Sequence, residues 1–241
     1  MKSFEELLKD ELKSAKYVLN LGAGKWDYSW AAEIEGLTFV VNVDRSYGSM
    51  GVEHPADVLL QHRSMEEKSY EYETDEDTRI VKFVTSDIFE FAESYPLKFD
   101  LIIAARIFEH QYHDDGSIGR LMYACYSLLK SGGVLLILVP NHLRLCESVF
   151  HVERLLEAGV SGELGKDFRG LSILMNIVNT EIYSTKADPH GSLWTPELAK
   201  LYVQLVDGLE IEKVEDVNWE GRKCYMALTL KKCDGTREEK N

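Results

Sequence analysis

The run Val18-Leu19-Asn20-Leu21-Gly22-Ala23-Gly24 constrains this chain more than any other segment. An apolar strand runs straight into a Gly-x-Gly turn near the start of the protein. A second apolar run, Leu37-Thr38-Phe39-Val40-Val41-Asn42-Val43, ends at the carboxylate of Asp44. Asp44 stands about 20 residues beyond Gly24, the length of one strand–turn–helix–strand unit with an acidic side chain set to accept from a ribose. The pattern predicts an α/β fold and a ribose-bearing cofactor held at the glycine turn.

The rest of the chain alternates in the same way. Phe4, Leu7, Leu8 and Leu12 recur at helical spacing and open the protein with a short amphipathic helix. Apolar strands follow at 17–21, 38–43, 80–85, 101–105 and 134–139. Helices are expected near 28–34 and 118–129, the second broken by Ser131-Gly132-Gly133. Such near-continuous apolar strands belong to a parallel sheet covered on both faces. The chain closes with a helix over 196–205, capped by Thr195 with Pro196 in its first turn. Two strand-like runs, 209–217 and 224–230, flank Glu220-Gly221-Arg222 and read as an antiparallel hairpin.

Two segments interrupt the alternation. Residues 48–79 make a long connection containing the polar tract 66–77, read as a solvated loop or a frayed helix. Residues 142–192 carry apolar positions at helical spacing (Val149, Val152, Leu155, Leu156; then Leu171, Leu174, Ile177, Val178). They are expected to form a helical cap inserted after the fifth strand. Insertions at strand C-terminal ends are where such sheets bind ligands.

The 241 residues are 45% hydrophobic, enough for one domain, 1–241, with a substantial core. A net charge of −14 disfavours a large nucleic-acid surface, since phosphate binding relies on Lys and Arg. No apolar run approaches the ~20 residues that cross a membrane. Met1-Lys2-Ser3-Phe4-Glu5-Glu6 lacks the apolar core of a signal peptide. Cys125, Cys146, Cys224 and Cys233 have no paired spacing and read as reduced thiols in a cytoplasmic protein.

Five motifs, in order, resemble those of the class I S-adenosylmethionine-dependent methyltransferases, in their type 11-like form. They are Val18–Gly24, Val41-Asn42-Val43-Asp44, Ser86-Asp87-Ile88-Phe89, the segment from Phe99-Asp100 to Glu109-His110, and Leu128-Leu129-Lys130-Ser131-Gly132-Gly133. The resemblance implies a doubly wound, mostly parallel, seven-stranded Rossmann-like sheet with an antiparallel C-terminal strand. It implies S-adenosyl-L-methionine as cofactor. Gly22, Ala23 and Gly24 would line its methionine part, and Asp44 would accept from the ribose hydroxyls. Asp87 would accept from the adenine amino group, with Ile88 packed on the ring. Ala105 and Arg106 would face the methyl group. Trp26 stands where the family often has a further glycine.

An NAD(P)-dependent oxidoreductase is the alternative from another class. Asp27 stands where a dinucleotide fingerprint wants Gly or Ala, and its carboxylate would repel a pyrophosphate at the helix N-terminus. A methyltransferase-like protein that only binds a partner is the third reading, and intact Asp44 and Asp87 argue against it.

Methyl transfer from a sulfonium is an in-line displacement that rests mainly on positioning. A base is needed only where the acceptor must lose a proton. His110 and His142 are the candidate bases, and each also has a structural reading. His110, His113, Asp114 and Asp115 lie close in sequence without a second ligand set, so no metal is expected. Tyr183 and Trp194 are candidates to line the acceptor pocket. Ala104-Ala105-Arg106-Ile107 occupies the place where amino-methylating nucleic-acid enzymes hold a flipped base with an Asn-Pro-Pro-Tyr-like motif. A small-molecule acceptor, a glycan or a metabolite, is therefore expected, with no nucleic acid and no membrane. The sequence sets no oligomeric state.

Overall fold

The computed structural model describes residues 1–23, 36–37, 39–44, 67–73, 78–111, 116–144, 192–219 and 221–233. Helix α1 (Phe4–Leu12) starts on a capping box. The Ser3 hydroxyl accepts from the Glu6 N–H at 3.1 Å, and the Glu6 carboxylate accepts from the Ser3 N–H at 2.9 Å. Phe4, Leu7, Leu8 and Leu12 are buried by the helical spacing. Each contributes about 1.5–3 kcal/mol relative to exposure.

The strands are β1 (Tyr17–Leu21), β2 (Phe39–Val43), β3 (Glu67–Glu73), β4 (Thr78–Val84), β5 (Phe99–Ala105), β6 (Leu129–Pro140), β7 (Leu209–Trp219) and β8 (Arg222–Lys232). They form one sheet in the order β3-β4-β2-β1-β5-β6-β8-β7. The pairs β4–β2, β2–β1, β1–β5 and β5–β6 are parallel, and β8 runs antiparallel to both β6 and β7. The expected mostly parallel sheet with an antiparallel C-terminal strand is thus present. Helices α2 (Ile88–Ser94), α3 (Ser117–Leu128) and α4 (Pro196–Val203), and a 3-10 turn at Phe108–His110, complete the described elements.

Alternate residues of the parallel strands face two separate cores. Leu19, Leu21, Val41, Val43, Ile102 and Ala104 pack on one face with α3, α4 and Trp194. Val18, Val40, Leu101, Ile103, Leu136 and Leu138 pack on the other with α1, Trp219 and Tyr225. Burial on both faces is why these strands read as unbroken apolar runs.

The tract 66–77 departs from its expected reading. Seven of its residues form β3, antiparallel to β4 from Glu67↔Val84 to Glu73↔Thr78. This is an eighth strand added at the outer edge of the seven that the resemblance implies. Its sequence, Glu-Lys-Ser-Tyr-Glu-Tyr-Glu, lacks the aliphatic content of a buried strand, and an edge strand does not need it. The turn at Ser131-Gly132-Gly133 lies inside β6 rather than ahead of it. A Cβ on Gly133 would lie 2.9 Å from the Lys130 carbonyl oxygen, so only glycine fits. The helix expected near 28–34 and nearly all of the expected cap at 142–192 lie outside the described residues.

Candidate functional site

The register lines up one edge of the sheet. Leu21 pairs with Val43 and with Ala104, and Val43 pairs with Val84. The next residues along the strands are therefore level: Ala105, Gly22, Asp44 and Thr85 form a row at the strand C-terminal ends. In open α/β sheets ligands bind outside the carboxyl ends of the strands, which is this edge.

Gly22 leaves β1 with φ +57, in the left-handed region. A Cβ here would sit 2.6 Å from the Ile107 Cδ1 atom. The left-handed backbone favours glycine, and the close approach of the Ile107 side chain leaves little room for a Cβ. Ala23, almost fully buried, donates its N–H to the Val43 carbonyl at 3.1 Å, tying the turn to the end of β2. Beneath it, buried Asn20 donates its amide to the Asn42 side-chain oxygen at 2.9 Å, across the β1–β2 pair. Gly24 lies outside the described residues, as do Trp26 and Asp27.

Asp44 is only 8% exposed although it follows the last residue of β2. Its N–H donates to the Val84 carbonyl at 3.1 Å, which fixes the backbone that carries the carboxylate. Asp87 is the N-cap of α2, with one oxygen accepting from the Phe89 N–H at 2.8 Å. Among the described residues its second oxygen makes no hydrogen bond. Ile88 follows, half-buried against the core beneath. Sequence reasoning did not foresee α2, although an Asp followed three residues on by Glu90 is a helix-start signal.

Beyond β5 the chain turns sharply. Arg106 has φ +60, the only non-glycine in the left-handed region among the described residues. Its N–H donates to the Leu138 carbonyl at 2.8 Å. Its guanidinium lies over the Trp219 ring, 5.1 Å from the centroid. Glu109, fully buried, places a carboxylate oxygen 3.8 Å from the Arg106 Nε and 4.0 Å from the His110 Nε2. His110 is partly exposed beside it.

His142 is placed differently. It is buried, and its Nδ1 accepts from the Trp194 N–H at 2.8 Å. The His142 N–H donates in turn to the Trp194 carbonyl at 2.9 Å. Burial pushes the imidazole below its ordinary pKa, partly offset by backbone carbonyls at Trp194 and Pro140. The adjoining Ser192 hydroxyl accepts from the Trp194 indole at 2.9 Å and donates to the Phe108 carbonyl at 3.0 Å. These bonds clamp both ends of the 142–192 segment to the turn after β5. Asn141 and Arg144 add a second clamp, both donating to Asp216 on β7 at 2.8 Å. Neither clamp is legible in the sequence, because their members are far apart along the chain. His113, Asp114, Asp115 and Tyr183 lie outside the described residues. No cluster that could hold a metal occurs among the described residues.

The fold is that of the S-adenosylmethionine-dependent methyltransferases. The chain is similar in structure to the N-methyltransferase NodS of Bradyrhizobium japonicum, with a TM-score of 0.53, 11% identity, and 95% of this chain and 94% of that one covered. It is similar to the 1,6-didemethyltoxoflavin-N1-methyltransferase of Burkholderia thailandensis, solved with 1,6-didemethyltoxoflavin and S-adenosylhomocysteine. There the TM-score is 0.52 and the identity 18%, with 95% and 76% covered. A methyltransferase structure from Listeria monocytogenes gives 0.51 at 15% identity, with 96% and 98% covered. By sequence, no protein family and no curated protein matches the chain.

Proposed function

We propose that the chain is an S-adenosylmethionine-dependent methyltransferase acting on a small-molecule acceptor. The observation that carries this reading is the row at the strand C-terminal ends. There a glycine turn at Gly22 and a buried carboxylate at Asp44 directly follow β1 and β2, and a half-engaged carboxylate at Asp87 stands three residues beyond the adjacent parallel strand β4. A nucleoside needs this set: backbone that approaches closely, an acceptor for ribose hydroxyls, and an acceptor for an exocyclic amine. The residues fit the cofactor on that ground. Gly22, Ala23 and Gly24 would line its methionine part, Asp44 would hold the ribose, Asp87 the adenine amine, and Ile88 would pack on the ring. When bound, the cofactor supplies an electrophilic methyl. The backbone of Ala105 and Arg106, level with Gly22, would face it.

The acceptor side would be bounded by Arg106 and His110, with the buried Glu109 carboxylate behind them. His110, partly exposed, remains the better placed of the two candidate bases. His142 is engaged through Nδ1 with the Trp194 backbone and serves to hold the clamp. The 1,6-didemethyltoxoflavin bound to the Burkholderia enzyme supports the small-molecule reading. No described helix is long and apolar enough to cross a membrane.

A thermal-shift panel of S-adenosylmethionine, S-adenosylhomocysteine, NAD and NADP tests the assignment. A ligand at 100 times its Kd stabilises the folded state by about 2.7 kcal/mol. The first two ligands are expected to raise the melting temperature and the nicotinamide cofactors to leave it unchanged. The reverse outcome would replace the methyltransferase by an oxidoreductase.

A further inference from the structure

Two arginines stand near the C-terminal edge beside the place of the acceptor, and they are engaged differently. Arg144 donates to Asp216 through Nε at 2.9 Å and a terminal nitrogen at 2.8 Å. It is a structural cation with a carboxylate of its own. Arg106 makes no side-chain hydrogen bond among the described residues. Its nearest carboxylate oxygen, on Glu109, is 3.8 Å away, beyond hydrogen-bond reach. Among the described residues no acceptor lies within hydrogen-bond reach of the N–H donors on its planar fork, and the side chain is 42% exposed.

Three features hold that fork in place. The Trp219 indole, itself buried, carries the guanidinium on its face. The buried Glu109 carboxylate attracts it from one side without saturating it. The backbone is held at φ +60, a conformation that costs an L-residue about 1–2 kcal/mol. Strain of this kind at a strand end persists where the surroundings enforce it and is concentrated at ligand sites. A glycine would sit there without strain, so the side chain has a use that outweighs its backbone cost. A rigid, unsaturated guanidinium is suited to bidentate binding of a planar oxyanion.

We propose that Arg106 is the receptor for a carboxylate carried by the methyl acceptor, so that the acceptor is a small organic acid anion. This rests on the methyltransferase reading and narrows it. The methionine part of the cofactor also carries a carboxylate, and the test separates the two sources.

The experiment is calorimetry on the full chain saturated with S-adenosylhomocysteine, using benzoate as the carboxylate probe and benzamide as its neutral isostere. The wild type is expected to bind benzoate at least about tenfold more tightly than benzamide, the effect of one charge-assisted contact. Arg106→Gln is expected to abolish the preference and Arg106→Lys to keep part of it. The ratio of S-adenosylhomocysteine to 5′-methylthioadenosine affinity is expected to be the same in both variants as in the wild type, whatever the variants do to the two affinities together. Arg106→Gly, which relieves the left-handed strain but removes the contacts with Trp219 and Glu109, is expected to lose the preference as Arg106→Gln does.

The proposal is overturned if the wild type does not prefer benzoate, or if Arg106→Gln keeps the preference. It is also overturned if Arg106→Gln weakens S-adenosylhomocysteine while 5′-methylthioadenosine, which lacks the amino-acid part, binds as before. That last result would assign Arg106 to the cofactor's own carboxylate. Failure of the wild type to bind S-adenosylhomocysteine at all would instead refute the methyltransferase reading beneath it.

Discussion

Asp100 and Asp87 are carboxylates at opposite edges of one sheet, and their partners differ. At the strand N-terminal edge, one Asp100 oxygen accepts from the Lys16 N–H at 3.1 Å and the Tyr17 N–H at 2.9 Å. The other accepts from the Lys130 ammonium at 2.8 Å. Both oxygens are engaged within the fold, although an open cleft runs past Glu11, Ser14, Asp100 and Gly133. At the C-terminal edge, Asp87 gives one oxygen to its helix and keeps the other. Arg106 makes no side-chain hydrogen bond among the described residues, on a backbone under strain. The N-terminal edge engages Asp100 within the fold, while the C-terminal edge, beside clamps of its own, leaves one Asp87 oxygen and the Arg106 fork without a hydrogen bond among the described residues. A cleft marks space, but unsatisfied groups on a rigid frame mark a site.

Glycine replacements should break this contrast most strongly. Gly22→Ala combines left-handed strain with a Cβ 2.6 Å from Ile107, and is expected to cost about 2–5 kcal/mol. Gly132→Ala at the opposite edge has φ +72 and nothing near its Cβ. It should cost only the strain, about 1–2 kcal/mol. Chemical denaturation of the two variants measures the gap. Adding Ile107→Ala to Gly22→Ala should relieve the collision but not the strain. Equal destabilisation at both glycines would remove the close-approach argument.

The two edges should separate again when carboxylates are removed. Asp44→Ala is expected to weaken S-adenosylhomocysteine by about 1.5–3 kcal/mol, roughly 10- to 150-fold, with the fold intact. Asp100→Ala should do the opposite, lowering stability by about 1–3 kcal/mol and leaving the ligand affinity alone. A normal Kd for Asp44→Ala in a folded protein would show that its carboxylate is structural.

Asp87 combines both duties, and two substitutions divide them. Asp87→Ser keeps a good N-cap on α2 and removes the second oxygen, so only ligand affinity should fall. Asp87→Ala should lose affinity and also about 1 kcal/mol of stability. Matched melting temperatures for the two variants would mean that the cap contributes nothing.

The smallest effect concerns pH at the clamp. Burial lowers the pKa of His142 in the folded state relative to the unfolded chain. The unfolded state therefore takes up the proton first as pH falls below the ordinary histidine value of about 6.5. The stability tied to neutral His142 is complete above that value and is lost as pH falls toward the folded-state pKa. His142→Gln should flatten this part of the melting-temperature profile. A profile unchanged by the substitution would remove His142 as its source.

What the sequence disclosed follows the same division. β1, β2, β5 and β6 were legible because strands buried on both faces must be apolar throughout. Asp44 and Asp87 were legible because they end such runs. β3 was not, since edge pairing through the backbone leaves no hydrophobic pattern in Glu67–Glu73. The Asn141–Asp216–Arg144 and His142–Trp194–Ser192 clamps were hidden because their members meet only when β7 and α4 dock. The strain at Arg106 is a backbone conformation, which its residue type actively disguises.

Hydrogen exchange with and without saturating S-adenosylhomocysteine tests the division between the two edges most directly. The account predicts added protection at Gly22–Ala23, at Asp44, at 85–88 and at 105–111. It predicts none at 14–16, 98–100 and 130–133. Protection concentrated at the N-terminal edge, or bound ligand with no change along the Gly22–Asp44–Asp87 row, would contradict it.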